Sequence, residues 1–290
     1  MRLGLVLPFS GDAPGAVRTA QRAQELGFDG IFATDHLFVP GRPDAPTLDP
    51  FTLLSAIAVA CPGLHVGTLV ARVTVRPAVL LAKMAANLDD LSGGRALIGL
   101  GSGDRLDQPE NRAFGIAGPD DARGRLEALA ETAGAVRALF RGQPWPGGNR
   151  VPAISGRLAP PPSREGGPPL WIGGSSEAVV RVAAEQADAW NGWGFDLEGF
   201  EARTRVLAGS GVEATWAGIV TLGDDPGDAR RRVADRLSRG LPEVWSGDLE
   251  AMRGFLRGLA EAGATWAICR LPLDRAEVLA TLLPEVHAWT

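Results

Sequence analysis

An acid beside an imidazole is the sharpest chemical signal in the chain: Asp35-His36 follows the apolar run Ile31-Phe32-Ala33-Thr34. Just past a strand, such a pair can hold and tune a proton-transfer group, or it can be a helix cap followed by a solvent-exposed histidine. A second cluster, Gly99-Leu100-Gly101-Ser102-Gly103-Asp104, also closes an apolar run. Closely spaced glycines let backbone N–H groups approach a ligand or form an anion-binding concavity, and tight turns use them equally. Arg105 stands where the last glycine of a Gly-x-Gly-x-x-Gly fingerprint belongs, so this is not a dinucleotide motif. Asp104 reads as a general acid or as an ordinary turn aspartate. The third cluster, Gly173-Gly174-Ser175-Ser176, opens a helix. Its glycines, hydroxyls and helix terminus suit a phosphate, although Glu177 opposes an anion and either serine can be simply the cap. Two more candidates follow later runs: Trp193, an indole for stacking on a planar ring or for plugging the core, and Arg270, an anchor for an acidic substrate or a rim salt bridge.

These residues need elements to position them. Short apolar runs recur at 3–7, 30–34, 66–70 and 96–100. Such continuous runs suit strands covered on both faces, as in a parallel sheet. Helical periods lie between them. Val17, Ala20 and Leu26 share a face before Gly27; Asp49-Pro50 opens a helix that Cys61-Pro62-Gly63 stops; Pro77 opens another, with Leu80, Met84, Leu88 and Leu91 on one stripe before Gly93-Gly94. A fourth helix is predicted near 120–140, and further strands at 170–172, 189–191, 216–222 and 266–271. Four strands on each flank total eight. The expected fold is therefore α/β, a single (β/α)8 TIM barrel over 1–290, with a doubly wound open sheet as the other arrangement. The proline-rich stretch 142–169 is an insertion before strand five rather than an interdomain linker, because four strands cannot close a barrel. Barrels carry reactive groups at the carboxyl ends of strands, where all three clusters fall. His65 begins a strand and so belongs to the opposite face, and His287 lies in the tail.

Composition removes other classes. The charge is −5, Lys83 is the only lysine and no basic block exists, so nucleic acid is not the expected partner. No tyrosine is present to act as a phenol acid. Cys61 and Cys269 cannot build a disulfide framework or a cysteine-rich zinc site, which points to a reduced, cytoplasmic setting. Three histidines without a His-x-His pair argue against a metal-dependent hydrolase, so no metal is expected. The run at 3–7 is too short for a secretion signal, and no apolar stretch is long enough to span a membrane.

Taken in order, the chain resembles the bacterial-luciferase-like monooxygenase superfamily, and within it the coenzyme F420-dependent branch. The matching stretches are Gly27-Phe28-Asp29-Gly30 with Asp35-His36-Leu37, Val66-Gly67-Thr68-Leu69-Val70, Arg76-Pro77-Ala78 running through Leu91-Ser92-Gly93-Gly94-Arg95 to Gly103, Glu110 with Ala113-Phe114-Gly115, and Pro169-Leu170-Trp171-Ile172-Gly173-Gly174. The likeness is dense over 64–103 and thin from 196 onward. It implies a flavin-type ring at the barrel mouth, with a non-proline cis peptide at Leu69-Val70 beneath its middle ring. It also implies cofactor contacts at Asp35, His36, Thr68, Leu69 and Val70, at Gly101, Ser102 and Gly103, and, for the phosphate, at Gly173, Gly174 and Ser175. His36 would then move the proton, Asp35 would meet the ring's polar edge or orient His36, and Asp104 would be a second catalytic carboxylate. Pro40 stands where sugar-phosphate dehydrogenases of this branch carry a tryptophan, which speaks against sugar-phosphate oxidation. The expected activity is hydride transfer between the deazaflavin of F420 and a small organic substrate. The alternatives are an FMN-dependent monooxygenase and a non-catalytic flavin-binding barrel. Relatives commonly pair, so a homodimer is expected.

Overall fold

Strands and helices alternate along the computed structural model, which describes residues 1–103, 108–238 and 245–289. The first half runs β1 (Arg2–Val6), α1 (Ala13–Glu25), β2 (Gly30–Ala33), α2 (Pro50–Ala60), β3 (His65–Arg72), α3 (Ala78–Ser92), β4 (Ala96–Gly101), α4 (Pro109–Ala113) and α5 (Ala122–Phe140). The second half runs β5 (Leu170–Gly173), α6 (Glu177–Gln186), β6 (Ala189–Trp193), α7 (Leu197–Leu207), β7 (Glu213–Leu222), α8 (Pro226–Ser238), β8 (Trp245–Gly247), α9 (Leu249–Glu261), β9 (Ala264–Arg270), α10 (Leu273–Ala280) and α11 (Leu283–Ala288). Neighbours β1 to β7 pair in order and in parallel, and β9 joins β7 to β1, so eight strands close into a barrel. The expected barrel is therefore present. The predicted eighth strand is β9; β8, a three-residue strand that no apolar run announces, pairs only with the far end of β7.

Side-chain alternation explains the closure. Leu3 and Leu5 of β1 face the surrounding helices, while Val6, Phe32, Leu69, Leu97, Trp171 and Trp266 fill the interior. Phe32, Trp171 and Trp266 meet with ring centroids 5.5–6.1 Å apart. Gly67 makes room for that aromatic group: a Cβ there would lie 2.6 Å from Phe32 Cε1. The lumen is thus packed, and the loops at the strand ends are what remains for ligands. His65, at the start of β3, packs edge-on against Trp266 at 5.6 Å, at the end of the barrel expected for it. Six helices start on an aspartate that accepts the N–H three residues on: Asp12, Asp49, Asp121, Asp196, Asp225 and Asp248. Each such cap stabilises its helix by about 1 kcal/mol.

The proline-rich excursion packs Val151, with Trp145, Ile154 and Leu158, against the core and is also tied down by charges. Asp89, fully buried on α3, accepts Arg164 Nε at 2.8 Å and Nη2 at 2.5 Å. Glu131 on α5 accepts the backbone N–H groups of Asn149, Arg150 and Val151. Lys83 donates to the carbonyl of Ala159, which precedes a cis proline. Both cysteines are buried and unpaired. No helix among the described residues is long and apolar enough to cross a membrane.

Candidate active site at the barrel mouth

Asp35 and His36 diverge at the end of β2, as adjacent residues of an extended segment must. Asp35 is 2% exposed, and its carboxylate accepts the Arg72 N–H at 2.8 Å and Arg76 Nη1 at 2.6 Å. The other fork of Arg76 donates to Asp49, the cap of α2, and its guanidinium lies over the Phe51 ring at 5.4 Å. Burial opposes the ionised form of Asp49, but the Thr52 N–H and Arg76 outweigh it and hold the carboxyl below its usual range. Asp35 therefore fastens the loops after β2 and β3 together. It does not orient His36, as the sequence had allowed.

The carboxylate that meets His36 is that of Glu110. Its Oε2 lies 2.9 Å from His36 Nδ1, while Oε1 accepts the Leu37 N–H and, at 2.9 Å, Arg72 Nη2. Arg72 also donates to Asn111 Oδ1 at 3.4 Å. Glu110 is 5% exposed and Arg72 is 4% exposed. Burial alone would raise the Glu110 carboxyl; the His36 bond, the Leu37 N–H and the Arg72 charge win and keep it below the usual carboxylate range. The imidazole is partly open, with Phe9 edge-on at 5.7 Å and Arg270 above the Phe9 ring at 3.9 Å. Among the described residues, His36 Nε2 has no hydrogen-bond partner. Glu110 lies 74 residues from His36. In the sequence it appears only inside the motif ending Ala113-Phe114-Gly115, with no local sign of its partner.

Beside this cluster, β3 carries an irregularity. Thr68 pairs with Ile98 and Ala71 with Leu100, so β3 spends one residue more than β4 over that step. Leu69 and Val70 both turn to the interior side as a result, and the peptide between them is cis, as the resemblance implies. Val70 lies against three glycines. A Cβ on Gly173 would stand 2.6 Å from Val70 Cγ1, one on Gly99 3.0 Å from the same atom, and one on Gly101 closer still to Val70 Cγ2. Glycines expected to admit a ligand are thus already required by Val70. Thr68 Oγ1 donates to Gly99 O at 2.8 Å. Gly103 has φ +74°, beside Thr74, and among the described residues Ser102 Oγ reaches only Gly103 O. Asp104 lies outside the described residues.

The turn after β5 is different in character. The Gly174 N–H donates to Asn191 O at 3.2 Å, and Trp190 Nε1 donates to Gly174 O at 2.9 Å. Ser176 caps α6 by accepting the Val179 N–H, Glu177 pairs with Arg181, and Arg203 Nε donates to Ser175 O at 3.0 Å. Ser175 is exposed. Trp193 is 38% exposed at the end of β6, so it plugs nothing. A cavity of about 670 Å³, lined by Arg137, Trp145, Gln186 and Asp188 among others, lies near the opposite end of the strands. Chemistry rather than volume therefore marks the mouth. No acidic, histidine or cysteine group that could hold a metal occurs among the described residues.

Comparison with known proteins agrees with this architecture. An F420-dependent secondary alcohol dehydrogenase, solved with an F420-acetone adduct, superposes with a TM-score of 0.81 at 17% identity over 98% of both chains. The coenzyme F420-dependent tetrahydromethanopterin reductase of Methanopyrus kandleri gives 0.78 at 16% identity over 100% of this chain and 99% of its own. The EDTA monooxygenase of Chelativorans sp. BNC1 gives 0.80 at 16% identity over 99% and 94%. The model of the luciferase-like monooxygenase family matches residues 1–276, and the chain belongs to that family of oxidoreductases.

Proposed function

We propose that this protein is an F420-dependent oxidoreductase that moves a hydride between a deazaflavin and a small organic substrate, with His36 handling the accompanying proton. The observation that carries the reading is a juxtaposition. An imidazole with one nitrogen held by an ionised carboxylate stands at the end of β2, and the next strand turns Leu69 and Val70 inward. Structures similar over nearly the whole chain include enzymes that use F420 and one that acts as a monooxygenase.

The mouth suits a planar ring. Val70 and Leu69 offer an apolar ledge, and Arg72 Nε and Thr74 Oγ1, at and just past the end of β3, are buried polar atoms without partners among the described residues. The exposed start of α6 at Ser175 suits a phosphate through its leading N–H groups, and Arg203 stands beside it. When bound, the deazaflavin supplies a two-electron hydride carrier. His36 Nε2 accepts the proton that a substrate hydroxyl or amine loses as its carbon gives up the hydride, and returns it in the reverse direction. Asp35 holds the Arg72 and Arg76 loops in place and so preserves the alignment on which close approach depends. Asp104 is a second proton-transfer candidate on sequence grounds. Exposed Val59 on α2 and Leu80 and Leu91 on α3 support a homodimer, which sedimentation would test.

Two measurements test this reading. Titration with F420 and with FMN, followed by fluorescence, should give saturable binding of F420; tight FMN binding with none of F420 overturns it in favour of a monooxygenase. His36→Ala should lower turnover by about 10²–10⁴-fold and change cofactor affinity little. Equal losses in both would assign His36 to binding instead.

A further inference from the structure

We propose that Glu110, steadied by Arg72, is a positioning residue that fixes His36 as its Nδ1–H tautomer and thereby presents Nε2 as the proton-transfer atom. The inference rests on the proposed function for the identity of the proton's partner, and on geometry for the rest.

The geometry has three parts. An ionised carboxylate only accepts hydrogen bonds, so the hydrogen between Nδ1 and Oε2, 2.9 Å apart, belongs to the imidazole. Glu110 is kept ionised by the neighbours already described, among them a guanidinium that is itself 4% exposed. The carboxylate also spans the residue it orients: one oxygen takes the ring of His36 and the other takes the N–H of Leu37, the next residue. The ring is thereby fixed against its own backbone. Arg72 on Oε1 prevents the carboxylate from rotating away. Its charge also offsets that of Glu110, so the pair orients the imidazole without adding net negative charge beside it.

This arrangement predicts what an amide would do in place of the acid. In Glu110→Gln, the side-chain oxygen is claimed by two donors, the Leu37 N–H and Arg72 Nη2. The NH2 group must then face His36, and Nδ1 must accept from it. The tautomer inverts to Nε2–H, and the atom needed as acceptor carries a hydrogen. Loss of the correct tautomer is costly in enzymes that depend on a carboxylate-held histidine.

The test is 15N spectroscopy of the full chain with labelled histidine at pH 8, without cofactor, followed by F420 turnover and binding. Only three histidines exist, so His65→Gln and His287→Gln complete the assignment. The expected result is a proton on Nδ1 of His36 in the wild type and on Nε2 in E110Q. Turnover should fall by about 10²–10⁴-fold while F420 affinity is kept. A wild-type His36 carrying its proton on Nε2 overturns the proposal without any variant, which matters if E110Q does not fold. An unchanged tautomer in E110Q overturns it, as does inversion with full turnover. Failure of the cofactor reading looks different: neither F420 nor its redox reaction is detected, while the tautomer still inverts.

Discussion

The mouth of the barrel has two unlike sides. Beside β2 and β3, four charged side chains, those of Asp35, Arg72, Arg76 and Glu110, are at most 8% exposed and bond one another or the loop backbone. Beside β5 and β6 stand exposed Ser175 and Ser176 and the partly exposed Trp193, joined mainly by backbone and indole hydrogen bonds. Buried ion pairs are poor sources of net stability but are severely punished when one partner is lost. The first side is thus a scaffold that cannot relax, suited to holding a proton-transfer group in one place. On the second, the ion pair Glu177–Arg181 is exposed, so losing it would cost little.

Removing a charge from the rigid side breaks this contrast hardest. Asp35→Ala leaves the Arg72 N–H without its acceptor and Arg76 with only Asp49, and is expected to cost about 3–5 kcal/mol by urea unfolding. Ser175→Ala, on the other side, should cost less than about 0.5 kcal/mol. Equal costs would erase the distinction.

Next in size is the seam between the sides, where Val70 lies against Gly99, Gly101 and Gly173. Gly173→Ala places a methyl 2.6 Å from Val70 Cγ1 and must move the ledge. Such overpacking costs about 1–3 kcal/mol, and cofactor affinity should fall with it. Calorimetry on the same samples would check both, and Val70→Ala in that background should restore stability if the clash is the cause.

How far the sequence revealed this contrast depends on range. The barrel was legible because its strands are continuous apolar runs and its helices carry period-3.6 stripes, one of them opening on Asp49-Pro50. Asp35-His36 was legible as a pair but misleading as a contact, since adjacency along a strand sends side chains apart. The true partner of His36 is distant in sequence, and only folding brings α4 to the end of β2. Gly99 and Gly101 do carry a signal, two glycines at strand spacing on one face, and it announces a bulky neighbour from β3 as readily as a ligand. The strand β8 was hidden because three residues leave no periodicity, and its partner is the outer end of β7.

Acid should sharpen the comparison more gently. Glu110 and Asp49 lie below their usual range in the folded protein. Their contribution is therefore complete above the ordinary carboxylate values and is lost as pH falls through the lower, folded-state values. Hydrogen exchange below about pH 4 should show the segments 35–49 and 109–113 losing protection before the turn at 173–178 does. Simultaneous loss would mean that the charges do not govern the rigid side.

The smallest effect separates a cap from a binding group. Ser176 accepts the Val179 N–H at 3.3 Å, the bond a helix cap makes, and Ser176→Ala should cost about 1 kcal/mol of stability. Among the described residues the Ser175 hydroxyl makes no such bond, and its carbonyl is held by Arg203. If the start of α6 holds the cofactor phosphate, Ser175→Ala should weaken F420 binding while leaving the melting temperature nearly unchanged, and Ser176→Ala should do the reverse. If both changes act on stability alone, the open side of the mouth is only a helix end, and the phosphate must lie elsewhere.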